Sequence, residues 1–151
     1  LWPDAPELVW EVSPGFAQIP RIVPMLAGLA NALSDGSRPG GLYVVLWSHN
    51  WGSGLIDITD GTNLMFEADP TVKQARIARR LREELEALVK LGLIRVASKG
   101  AIQRGWVLLL DPIRAAHALT ATMPTEFSQW HDILRERCLE SGLTQISQTT
   151  K

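Results

Sequence analysis

The sequence predicts a mainly α fold with one small β-hairpin, an α+β domain with helices on either side of the hairpin. Three observations carry this. A long stretch from 70 to 91 keeps its apolar side chains on one helical arc, a glycine follows at 92, and two short runs rich in strand formers, 93–98 and 105–110, come next. With 151 residues, 46% of them hydrophobic and 21% charged, the chain has the size and composition of one globular domain that needs no covalent staples.

In chain order, residues 1–19 hold Pro3, Pro6 and Pro14 beside Trp2, Trp10 and Phe16, and read as an extended arm whose aromatics dock on the body or a partner. Residues 20–41 form a helix and a loop. Ile22, Val23, Met25, Leu26, Leu29, Ala30 and Leu33 recur at helical spacing with Pro24 in the first turn, and the Ser/Asp/Gly/Pro composition of 34–41 is that of a loop. Residues 42–51 suit either a strand, through Tyr43, Val44 and Val45, or a buried helix, through their length. Gly52-Ser53-Gly54 ends the element, 55–59 alternates as a short strand, and Asp60 is placed to cap a helix over 60–67.

Asp69 and Pro70 then look like the cap and first position of a helix over 70–91. Ile77, Ala78, Leu81, Leu85, Leu88 and Val89 fall within an arc of about 120°, with Lys73, Arg76, Arg79, Arg80, Glu83 and Glu84 on the opposite side. Gly92 suits a left-handed C-cap and Leu93 its hydrophobic contact. The strands 93–98 and 105–110 make a hairpin around the turn Lys99 to Arg104. Asp111-Pro112 opens a helix over 113–121, and a last helix spans 125–141 before a polar tail, so 113–151 is a helical C-terminal segment.

A net charge of −1 argues against a simple polyanion binder, but the average hides a segregation. Residues 69–114 carry ten Lys/Arg against five Asp/Glu, whereas residues 1–68 carry two against seven. A basic middle third can steer a polyanion to one face. The lone Cys138 excludes an intrachain disulfide, no apolar run approaches a membrane span, and Leu1-Trp2-Pro3-Asp4 lacks the basic start of a signal peptide. A cytoplasmic protein with no membrane partner is expected, and the missing initiator methionine suggests a trimmed or processed chain. His49, His117 and His131 are isolated from one another and from any zinc spacing, and Gly52-Ser53-Gly54 lacks the rest of a phosphate loop. No catalytic residue, metal or cofactor is expected, and the chain is not read as an enzyme.

The element order around the basic stretch, helix 42–51, strand 55–59, helix 60–67, helix 70–91 and a hairpin, is that of a winged helix-turn-helix. The segment ARIARRLREELEALVKLGLIRV, with its Leu91-Gly92-Leu93-Ile94 junction, resembles the second DNA-binding helix and first wing strand of bacterial winged-helix proteins. RGWVLLLDP, Arg104 to Pro112, is similar to the second wing strand of phage and plasmid replication initiators and MarR-like regulators. The resemblance covers 42–112 and implies a DNA-binding transcriptional regulator, or a plasmid or phage replication or maintenance factor. On that reading Thr71 and Gln74 are candidate base-edge readers, while Lys73, Arg76, Arg79 and Arg80 on the helix and Lys99, Gln103 and Arg104 on the wing meet duplex phosphates.

Against it, Arg79–Glu83, Arg80–Glu84 and Arg82–Glu86 are i,i+4 pairs of the kind any solvated helix carries. Trp47, Trp51 and Trp106 read as core. Trp2, Trp10 and Trp130 lie in the flanks as anchors for a homodimer or a partner protein, together with the helices 20–34 and 125–141. The alternative function is a protein-interaction module within a larger nucleoprotein assembly.

Overall fold

The computed structural model describes the backbone of residues 17–140 and the side chains of residues 17–137. Helices α1 (Val23–Leu33) and α2 (Gly40–Ser48) precede strand β1 (Leu55–Asp57). Helices α3 (Gly61–Ala68) and α4 (Ile77–Lys90) follow, then strands β2 (Ile94–Lys99) and β3 (Ile102–Leu109), then helices α5 (Pro112–Thr122) and α6 (Ser128–Glu140). The fold is α+β. The strands form one antiparallel sheet in the order β1-β3-β2.

Helix α1 buries Val23, Leu26, Ala27, Leu29 and Ala30, and Pro24 occupies its first turn, where no amide partner is needed. The next helix begins two residues earlier than composition suggested, because Gly40 is a packing residue rather than a loop residue. A Cβ there would lie 2.3 Å from the Ala27 carbonyl oxygen, so only glycine lets α2 approach α1 this closely. Its N–H donates to Asn31 Oδ1 at 2.8 Å, which fixes the start of α2 against α1. Residues 42–48 are helical, and α2 buries Leu42, Tyr43, Leu46 and Trp47. The Tyr43 hydroxyl and Trp47 Nε1 are buried without a hydrogen-bond partner, and desolvation pushes the phenol up to about 12. The indole N–H moderates that shift without reaching hydrogen-bond geometry.

Trp51 does not join this core. Its side chain is 93% exposed on the loop between α2 and β1, contrary to the packing role expected of it. The loop is ordered by Asn50, whose Oδ1 accepts from the N–H groups of Gly52 (3.0 Å) and Gly54 (2.9 Å), both at positive φ. Strand β1 is shorter than expected, since Asp57 Oδ1 turns back to accept from the N–H and hydroxyl of Thr59. Asp60 precedes α3 but its carboxylate makes no capping bond.

The largest departure concerns α4. It starts at Ile77, and the Asp69-Pro70 pair opens a turn instead of capping a helix. Lys73 is extended, with ψ 135°, and Gln74–Arg76 form a single 3-10 turn. The C-terminal end matches the expectation. Gly92, at φ +77°, donates to the Val89 carbonyl at 3.0 Å and Leu93 donates to the Leu88 carbonyl at 3.1 Å, the two bonds of a Schellman motif.

The hairpin is tighter than a six-residue turn. Lys99 pairs with Ile102, leaving Gly100 and Ala101 as its tip. Lys99, Gln103 and Arg104 therefore lie within or beside the strands. The register slips between Ala97 and Lys99, and the extra residues in β3 include Arg104 at φ 55°. That bulge re-aims the Arg104 side chain towards α4. Across the sheet, Ile56, Val107 and Ile94 are buried, while Leu55, Leu108 and Arg95 share one exposed row.

Asp111 caps α5 by accepting from the Ile113 and Arg114 N–H groups, with Pro112 in the first position. Leu134 of α6 is fully buried, and the Trp130 ring lies against Gly28 of α1. The described part of the C-terminal segment is thus packed onto the N-terminal helix.

Candidate nucleic-acid interface

The basic stretch is organised around a three-residue ion network. Asp69 accepts from the Thr71 N–H (2.9 Å) and hydroxyl (2.6 Å), and its other oxygen accepts from Arg80 at 2.5 Å. Arg80 also pairs with Glu84 at 3.0 Å. Glu84 is 4% exposed, so it sits on the packed side of α4 and not on the solvent side expected of it. The Thr71 hydroxyl and then Arg80 hold the Asp69 carboxyl down to about 2. Burial pushes Glu84 upward, with the Arg80 charge opposing it. Arg80 is raised in turn, first by Asp69. Its guanidinium ties the turn to the helix, and Thr71 has committed its hydroxyl to the same purpose.

Other candidates are engaged in similar ways. Arg79 pairs with Glu83 at 2.8 Å on an exposed face. Lys99 bonds Asp57 across the sheet, and its ammonium lies 4.8 Å from the Trp106 ring centroid. Lys99 and then Thr59 lower the Asp57 carboxyl to about 2. Arg104 reaches Glu86 at 2.9 Å, so Glu86 is taken by the hairpin rather than by Arg82 four residues earlier on the same helix. Exposed ion pairs of this kind are worth about 0–1 kcal/mol, and a phosphate can displace them. They cost more to recruit than a free cation does.

Lys73, Gln74 and Arg76 are exposed in the turn before α4. A recess of about 250 Å³ opens further along the same helix, between α4, the start of α3 and the hairpin. Arg82, Gln103 and Arg104 line it with Thr59 and Thr62, over a floor that includes Ile77 and Leu81. Arg82, Thr59 and Thr62 were not among the sequence candidates. Helical spacing pairs Arg82 with Glu86, but the docked hairpin gives Glu86 to Arg104. The structure therefore gathers Arg82, Gln103 and Arg104 in one concavity, places Lys73, Gln74 and Arg76 in the turn leading into α4, and anchors Lys99 on the sheet.

Trp130, a candidate partner anchor, is half-buried, with ring carbon Cη2 3.4 Å from where a Gly28 Cβ would stand. Trp2 and Trp10 lie outside the described residues. Among the described residues no group of three or more His, Cys, Asp or Glu side chains is placed to hold a metal ion, and no helix is long and apolar enough to cross a membrane. Comparison with protein-family models, with curated proteins and with solved structures finds no match.

Proposed function

We propose that the chain binds duplex DNA, that residues 42–112 act as a winged helix-turn-helix, and that the β2–β3 hairpin serves as the wing. The observation that carries this reading is the recess between α4 and the hairpin. Arg82, Arg104, Thr59, Thr62 and Gln103 line it, and their N–H and O–H groups are of the kinds that donate to phosphate oxygens, Arg104 and Thr59 by exchanging their bonds to Glu86 and Asp57. Lys73 and Arg76 extend the same positive surface to the turn before α4. Because the helix begins at Ile77, the N–H groups offered to phosphate at its start belong to the 3-10 turn and first helical turn, not to residues 70–73.

Backbone contact dominates this scheme, which makes binding steeply salt-dependent. With about four phosphates engaged, a plot of log affinity against log salt has a slope of about −3.6. The test is a salt titration of binding to random duplex. The paired change Arg76→Ala with Arg82→Ala should cut low-salt affinity at least about tenfold and flatten the slope by about 2. An unchanged affinity in the double variant overturns the site. A protein-interaction role is a second reading, favoured by one observation, the fully exposed Trp51.

A further inference from the structure

We propose that Glu86 competes with the DNA backbone for Arg104, so that one carboxylate of the protein limits how tightly the recess takes a duplex. The inference rests on the duplex reading of that recess and adds what holds it in check.

Arg104 stands between two hollows. It lines the recess with Arg82 and Gln103, and it also lines an open groove of about 510 Å³ between the second half of α4 and β2. Glu86 lines the groove and not the recess, and it accepts from Arg104 at 2.9 Å. The acid therefore engages the guanidinium from the groove side. Arg82 lies four residues before Glu86, the spacing at which helix side chains meet, yet no acid is paired with it among the described residues. Of the two arginines in the recess, the one on the hairpin is held and the one on the helix is not.

The setting of the pair decides whether it can yield. The Arg104 and Glu86 side chains keep 37% and 58% of their surface exposed. An ion pair so open to water opposes a competing anion by a factor of at most about five. Arg80 is the contrast. It bonds both Asp69 and Glu84, and Glu84 is 4% exposed, so drawing that guanidinium onto a phosphate would strand a buried carboxylate. Arg104 can exchange its partner, and Arg80 cannot.

A displaced Glu86 is not stranded. Lys90 lies one turn further along α4, lines the same groove, and has no acid paired with it among the described residues. A glutamate four residues before a lysine is the favourable order along a helix. With a phosphate on Arg104, the freed carboxylate has a cation in place to receive it.

The test is a double-mutant cycle on the affinity of the whole chain for random duplex at low salt. Glu86→Gln keeps the shape, removes the charge, and should tighten binding about two- to fivefold. Glu83→Gln removes the same charge from the same helix but releases Arg79, which does not line the recess, so its gain should be markedly smaller. In an Arg104→Gln protein, adding Glu86→Gln should gain nothing. The pairs are exposed, so all these variants should melt like the parent. Equal gains from Glu86→Gln and Glu83→Gln would reduce the effect to net charge and overturn the proposal. So would a gain that persists without Arg104, or a parent that binds duplex no less tightly than Glu86→Gln. If neither the parent nor Glu86→Gln binds, the DNA reading itself falls and this inference falls with it.

Discussion

Asp57, Asp69, Glu83 and Glu86 each hold a cation that would otherwise face solvent, and two of these acids also mark how the molecule responds to pH. The carboxyls of Asp57 and Asp69 are depressed to about 2 from an ordinary 3.8. A group whose folded value is depressed contributes stability above its unfolded value and loses it as the pH falls through the folded one. Thermal melts should therefore decline between about pH 4 and pH 2, and Asp69→Asn and Asp57→Asn should each flatten that decline. Glu84 has the opposite sign, because burial raises it and its charge is a cost at neutral pH that protonation relieves. Arg80→Ala would leave that buried carboxylate alone, and a loss of about 2 kcal/mol is expected in denaturant titration, allowing for partial exposure of the pair. Tyr43→Phe should behave differently. It deletes a buried hydroxyl that bonds nothing, so stability should hold or rise by up to about 1 kcal/mol.

At the scale of elements, what was legible in the sequence depended on whether a local rule had a tertiary competitor. The Gly92 cap and the Asp111-Pro112 helix start follow from short-range chemistry, and both form as that chemistry predicts. Asp69-Pro70-Thr71 obeys an equally good rule for a cap, but the same carboxylate can close a turn on Thr71, and Arg80 selects that outcome by bonding its second oxygen. Glu84 was misplaced because helical spacing gives a face without saying what packs against it. The recess is not legible in the sequence for the same reason, since Arg82, Thr59 and Gln103 are brought together only by the docking of the hairpin on α4. Arg104 offers a test at this scale. Its positive φ costs an L-residue about 1–2 kcal/mol, while its ion pair repays about 0–1. Arg104→Gly should therefore leave stability within about 1 kcal/mol in denaturant titration, yet weaken duplex binding several-fold.

For the molecule as a whole, the near-neutral charge resolves into an acidic span followed by a basic one. The span 39–72, with four acidic groups and no lysine or arginine, carries the exposed Trp51 indole, and the span that follows supplies Arg82 and Arg104 to the recess. The flanking helices are not loose appendages, since Leu134 and Trp130 bring α6 onto the body. Leu134→Ala should cost about 2–4 kcal/mol and lower a single cooperative transition. A separate early transition for the C-terminal helices would instead show that they fold on their own. Packing of this kind lies beyond what spacing reveals, because the Trp130 ring lies against Gly28, which is distant in sequence.

The Asn50 latch has one more consequence, in the time domain. A surface loop rich in glycine ordinarily trades its amide protons with water almost as fast as an unfolded peptide does. Here one side-chain oxygen holds the amides of both Gly52 and Gly54, so these two protons should exchange markedly slower than that of Ser53 between them. Asn50→Ala should return them to the unprotected rate, making this pair of glycines an internal clock for how long the loop stays latched.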